Sequence, residues 1–246
     1  MKDVFLHIAD TYGSHANLNV EFGGTALPKL SINARRTMTT MCAELSAEFA
    51  TFEPDQVMLD YVRERNSTSF EEQYPDEDAT YLDRRTINLD EIEPLVALPD
   101  TVLKNSQKIG EVIGTEINQA FIGSCANGTL DDFAAAAAVL DGNKVSADVR
   151  LIITPGTQNI YLEALRRGYI ETLIEAGAIV TNATCGACGG GHLGILASGE
   201  TCITASTRNF KGRMGDPDSK VFMGSPATVA ASAIKGEIAD PRDFLN

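Results

Sequence analysis

Apolar positions in the first third of the chain recur at helical spacing. Met38, Met41, Leu45, Phe49 and Phe52 stand three or four residues apart, the period of one buried helix face, and the run meets Glu53-Pro54-Asp55, which should end it. A second helix is expected from Asp55 to about Arg65. Residues 66–83 are polar, acidic and short of branched apolar side chains, and read as a surface excursion. Between Pro94 and Gly114 the periodicity is lost among Pro94, Pro99, Asp100 and Asn105-Ser106, which predicts an extended connection. A domain boundary fits there, with one unit over residues 1–94 and a second over 95–246.

The second unit alternates short apolar runs with helical periods. Strands are expected at Gln119–Ile122, Val149–Ile153, Ala178–Val180 and Cys202–Thr204, and helices at Leu130–Leu140, Gln158–Arg166, Ile170–Ala176 and Pro226–Ile234, the last with Pro in its first turn. Strands alternating with helices imply βαβ units around a mostly parallel sheet, so the fold class is α/β. Ligands of such sheets bind beyond the carboxyl ends of the strands. Cys125, the Cys185/Cys188 pair and Arg208 each follow a strand, so three strand ends should converge on one edge.

Composition narrows the chemistry. The 246 residues are 43% hydrophobic, enough for a real core, and 34 acidic against 20 basic side chains give a net charge of −14. That balance argues against nucleic acid or an anionic membrane as partner, since both require excess Lys and Arg. No run approaches a membrane span and Met1-Lys2-Asp3-Val4 opens no signal segment, so the expected location is the cytoplasm. Five cysteines there suggest metal or redox chemistry rather than a disulfide framework. Cys42 and Cys202, in apolar or strand-like surroundings, read as packing residues.

Cys125 and the Cys185-x-x-Cys188 pair offer three thiolate ligands. A cubane iron–sulfur cluster on three cysteines would keep one iron open to a substrate oxygen. Gly186 and Gly189 to Gly191 let backbone approach a bulky group and aim N–H groups at sulfur. Two other readings stand beside this one. A structural zinc would take His192 as a fourth ligand, and a thioredoxin-like dithiol would open a helix, which Gly189-Gly190-Gly191 disfavours.

Three ordered segments carry a family resemblance: Ile122-Gly123-Ser124-Cys125-Ala126-Asn127-Gly128, Ala183-Thr184-Cys185-Gly186-Ala187-Cys188 and Arg208-Asn209-Phe210-Lys211-Gly212-Arg213. In order and approximate spacing they resemble motifs of the aconitase superfamily, in its branch of 3-isopropylmalate dehydratase and homoaconitase large subunits. Lys2-Asp3-Val4 through Glu44 and Phe52-Glu53-Pro54-Asp55 extend the resemblance over nearly the whole chain.

The resemblance implies two aconitase-like α/β/α domains and a hydro-lyase, of leucine synthesis if the isopropylmalate likeness holds, that moves water across a C–C bond of a small anionic hydroxy-polycarboxylic acid. It implies a [4Fe–4S] cluster on Cys125, Cys185 and Cys188, substrate contacts from Arg208 and Arg213, and a catalytic carboxylate at Glu44 beside an iron-bound water. Either arginine alone is more often a surface ion-pair member, and Glu44 reads equally as a partly solvated carboxylate bordering the buried stripe. The chain departs from the family pattern at Thr40 and Thr207, which stand where relatives have Asn. Relatives also carry an N-terminal domain with Asp, His and Ser motifs that His7, His15 and His192 do not match. The expectation is therefore a partial large subunit, inactive alone, that needs the missing domain and a small-subunit-like swivelling domain in trans. The alternatives are a non-catalytic iron-binding or assembly module and a zinc-bound structural domain.

Overall fold

A computed structural model describes residues 1–245. The chain opens with helix α1 (Lys2–Tyr12), which buries Val4, Phe5, Leu6, Ile8 and Ala9 and ends at Gly13 in the left-handed region. Strand β1 (Asn19–Phe22) leads to α2 (Ile32–Met41), whose first turn is fixed by the Ser31 hydroxyl accepting from the Ala34 N–H at 3.0 Å. Such a cap is worth about 1 kcal/mol.

The apolar stripe of the first third is not one helix. Helix α2 stops at Met41, a 3₁₀ turn runs over Cys42–Leu45, and Ser46 takes a left-handed conformation (φ 60°) that reverses the chain into strand β2 (Phe49–Phe52). Parallel pairing of β2 with β1 then sets the period to two. Phe52 is consequently buried, while Phe49, in phase with the helical stripe, is 72% exposed. Met38, Met41 and Leu45 do share a core with α1, together with Ala97, Ala126 and Met223 from later in the chain.

The expected second helix is present as α3 (Gln56–Arg63). Its N-cap Asp55 accepts from the Met58 N–H and also grips the guanidinium of buried Arg35 at 2.7 and 2.6 Å. Residues 66–83 are largely exposed and hold no helix or strand.

The stretch from Pro94 to Gly114 is more ordered than its turn residues imply. Strands β3 (Leu95–Ala97) and β4 (Ser106–Lys108) pair antiparallel, and the Asn105 side-chain amide donates to the carbonyls of Leu98, Pro99 and Thr101 across the connection. The remaining elements are β5 (Gln119–Gly123), the one-turn α4 (Ser124–Asn127), α5 (Leu130–Leu140), β6 (Arg150–Thr154), α6 (Gln158–Arg166), α7 (Tyr169–Glu175), β7 (Ile179–Val180), β8 (Thr201–Thr204), β9 (Lys220–Met223) and α8 (Pro226–Lys235). Each element expected in this half is present within a residue or two, and β9 and the one-turn α4 are added to them.

The strands form one seven-stranded sheet in the order β4-β3-β9-β8-β5-β6-β7, parallel except at β3 and β4. Alternation along the strands separates two faces. Ala120, Ile122, Leu151, Ile153, Ile203 and Phe222 join the core with α5, α7 and α8, whereas Phe121, Ile152, Cys202 and Val221 pack under residues of the 187–214 segment. No helix among the described residues is long and apolar enough to cross a membrane.

The Arg35–Asp55 pair yields a stability prediction. The Arg35 hydrogen bond holds the Asp55 carboxyl below the usual range, so the pair's contribution is complete above the ordinary carboxylate pKa of about 4 and is lost as pH falls through the lowered folded value. Arg35→Met should destabilise the chain by about 3 kcal/mol in urea melts at neutral pH, and the deficit should shrink as the titration is carried into the acid range.

Candidate functional site

Parallel pairing of β5 with β8 aligns Phe121 with Thr204, so the loops leaving the two strands start side by side. Cys125 and Arg208 each lie four residues beyond that rung. The β5 loop turns tightly: Ser124 adopts a left-handed conformation (φ 66°), unusual for a residue with a side chain, and its buried hydroxyl has no hydrogen-bond partner among the described residues. Cys125 follows it on α4 with its thiol exposed. Across the gap, buried Thr207 places its hydroxyl 3.7 Å from the Cys125 sulfur.

The Cys-x-x-Cys segment approaches from beyond β7 as a 3₁₀ turn over Gly186–Gly189. No helix opens there, against the dithiol reading. Gly186 is left-handed, and a Cβ on it would collide with the Thr154 hydroxyl and the Phe121 ring, so the turn lies directly on β5 and β6. Gly190, also left-handed, packs against the Arg213 carbonyl, and a Cβ there would come within 2.7 Å of it. Cβ positions at Gly189 and Gly191 meet nothing but open space or the segment's own backbone.

Cys188 is buried, and burial alone would push its thiol up. Arg213, the Ser206 hydroxyl and the Thr207 N–H outweigh it and hold the thiol below its ordinary value. Arg213 reaches it twice, donating from Nε to the Cys188 carbonyl at 2.7 Å and from Nη2 to the sulfur at 3.7 Å, with Phe210 stacked at 5.4 Å from its guanidinium carbon. Cys188 and Cys125 thus both border Thr207, while Cys185 is exposed at the start of the turn. All five cysteines are free thiols. Burial pushes Cys42 to about 11 and Cys202 to about 12, as expected of packing residues.

Glu44 reaches this edge from the 3₁₀ turn after α2, with Thr40 half-buried near the end of that helix. The Glu44 carboxylate accepts from Arg208 Nε at 2.7 Å, joining residues 164 positions apart. Five of the six expected site residues are therefore tied to one another through Thr207 and Arg208. Cys185 is linked to them only through the short turn to Cys188.

Among the described residues, no three His, Cys, Asp or Glu side chains gather as ligands of a metal ion. His192, the candidate fourth zinc ligand, is exposed. Ligands of a single tetrahedral ion must converge on one point, whereas the cysteines of a cubane each bind a different corner. Soft thiolate donors, N–H and guanidinium groups turned toward sulfur, and open space before Gly189 and Gly191 match the cluster's chemistry.

Sequence reasoning missed Lys2 and Ser206. Lys2 is 1% exposed, and its ammonium donates to the Ser206 carbonyl at 3.0 Å. A lysine within the apolar face of α1 was the available signal.

The family model of the aconitase family (aconitate hydratase) matches residues 1–109 and 100–236. The chain belongs to the aconitase family. Among curated relatives, the 3-isopropylmalate dehydratase large subunit of Mycolicibacterium smegmatis is 49% identical over 244 residues, covering 99% of this chain and 58% of the relative. The probable methanogen homoaconitase large subunit of Methanothermobacter thermautotrophicus is 44% identical over 98% of this chain and 56% of its own length. A 3-isopropylmalate dehydratase large subunit from Methanopyrus kandleri is 42% identical over 99% and 59%. The chain thus spans a little under three-fifths of the relatives it matches.

Thiol chemistry checks the geometry of this aconitase-family edge. Iodoacetamide at about pH 8, read by mass spectrometry, should modify Cys125 and Cys185 at least tenfold faster than Cys42 and Cys202, which are buried and protonated. Equal labelling of all four would contradict the arrangement.

Proposed function

We propose that this chain is the cluster-bearing part of a hydro-lyase acting on a small hydroxy-polycarboxylic acid of the 3-isopropylmalate type. Cys125, Cys185 and Cys188 are its ligands to a [4Fe–4S] cluster. The observation that carries the reading is the meeting of Cys125, Cys188 and the Glu44–Arg208 pair around Thr207 at the carboxyl edge of a parallel sheet. A cluster bound there supplies a Lewis-acidic iron for a substrate hydroxyl and carboxylate.

The chain's own residues then have distinct tasks. Arg208 is 43% exposed, and its guanidinium retains N–H donors that can take a substrate carboxylate at two points while Nε holds Glu44. That ion pair fixes the direction of the Glu44 carboxylate, as required of a group that exchanges a proton at Oε. Arg213 lies against the Cys188 sulfur and stabilises negative charge there, and in this reading its other N–H groups serve a substrate carboxylate. Thr207 supplies a short hydroxyl where the family resemblance implies an amide, which in this reading leaves more room beside Cys125 and bears on which acid fits.

The 1–94 and 95–246 segments act as two units of one subunit, since Glu44 comes from the first and the cysteines from the second. The share of the relatives' length that the chain matches fits a part of a large subunit, and the reading adds a further domain, a small subunit in trans and a cytoplasmic location, with the chain alone expected to be inactive.

Anaerobic reconstitution with iron and sulfide tests the reading. Wild-type protein should take up about four irons and four sulfides per chain and give the EPR signal of a three-iron form on mild oxidation. Cys185→Ala should lose most of this. Zinc binding without labile sulfide, or full incorporation in Cys185→Ala, would overturn the assignment. A cluster-loaded chain without hydro-lyase activity after the further domain and a small subunit are added would favour an iron-binding module.

A further inference from the structure

Lys2 is a charged side chain buried with few direct hydrogen-bond partners. It is 1% exposed, and its ammonium lies 3.2 Å from the Met41 sulfur and 4.0 Å from that of Met223, with the Ser206 carbonyl its one oxygen acceptor. Burying an ammonium is expensive, and a well-packed apolar side chain of similar volume is often neutral or stabilising at such a site. Methionine would fit here, between two methionines. Packing does not account for the charge.

What the ammonium holds is informative. Ser206, Thr207 and Arg208 are consecutive, and each touches the site. Ser206 faces Cys188 through its hydroxyl, Thr207 contacts Cys125 and turns its N–H to Cys188, and Arg208 pairs with Glu44. Lys2 pins the first of the three from behind, across 204 residues of chain. Its own pKa is lowered to about 8 by burial, opposed by Asp132, Asp3, Cys188 and Cys125.

We propose that Lys2 is a positioning residue of the cysteine site: a fixed, buried positive charge that holds the 206–208 turn against the cysteines and raises the reduction potential of a cluster bound to them. The second half of this statement rests on the cluster reading above, and the first does not. A positive charge behind the sulfurs favours the more reduced, more negative cluster, so its removal lowers the potential.

The test compares wild-type chain with Lys2→Met and Lys2→Arg. Lys2→Met should fold, with unchanged far-UV circular dichroism and a melting temperature no lower than wild type. In the metal-free protein, hydrogen–deuterium exchange should quicken at least tenfold at residues 206–209 and stay unchanged in β5 and β6. After reconstitution, an EPR-monitored redox titration should show a potential lower by a tenfold change in the equilibrium constant, about 59 mV for one electron, with Lys2→Arg near wild type. Wild-type exchange at 206–209 in Lys2→Met would overturn the proposal, as would failure of that variant to fold or an unchanged potential. If wild-type protein takes up no cluster, the cluster reading and the potential fall together, and the exchange experiment still decides whether Lys2 holds the turn.

Discussion

The structure depends on parallel pairing at the centre of its large sheet. Because β5 and β8 run in the same direction and pair Phe121 with Thr204, the chain leaves both strands at one edge, and residues equally far past the rung become neighbours. Antiparallel pairing would send Cys125 and Arg208 to opposite ends. The β6 neighbour extends the edge, and β7 delivers the Cys-x-x-Cys turn to it. The site cysteines and both arginines lie in three connections that leave strands at this one edge.

Two further constraints shape that edge. Close packing sets the backbone: Gly186 lies so near Thr154 and Phe121 that only glycine fits, which locks the turn bearing Cys185 and Cys188 onto the sheet. Charge sets the chemistry. In a chain of net charge −14, Lys2, Arg208 and Arg213 bring positive groups to one small region, where Arg213 draws the buried Cys188 toward thiolate and Arg208 holds Glu44. Basic groups are thus concentrated beside the sulfurs, although the chain as a whole is strongly acidic. The residues of α1 and α2 complete it, since Met41 and Lys2 pack against Met223 and Ser206 from the far half of the chain.

Sequence pattern made much of this legible, for physical reasons that can be named. Buried parallel strands such as Gln119–Gly123 and helices with clear caps, such as α5 with its Thr129–Asp132 capping box, carry strong local signals. The cysteine motifs were legible as chemistry because three thiols with adjacent glycines have few purely structural uses. The first third misled because Met38, Met41, Leu45, Phe49 and Phe52 keep helical spacing across a helix, a turn and a strand, and the left-handed Ser46 that breaks the period has no distinctive sequence signature. Strands β3 and β4 were hidden because three-residue edge strands give too little alternation to read beside Pro94 and Pro99. The ion pair of Glu44 with Arg208 and the burial of Lys2 depend on contacts across 164 and 204 residues, which no local pattern encodes.

In the proposed arrangement, three cysteines from distant segments hold one cluster at this edge and leave one of its irons without a protein sulfur. Mössbauer spectroscopy of protein reconstituted with isotopically enriched iron tests it most directly, because the technique distinguishes irons by their ligands. One iron environment should shift when a hydroxy-polycarboxylate is added while the other three stay unchanged. Four irons that all ignore the acid, or a lone iron in a sulfur cage without inorganic sulfide, would contradict it.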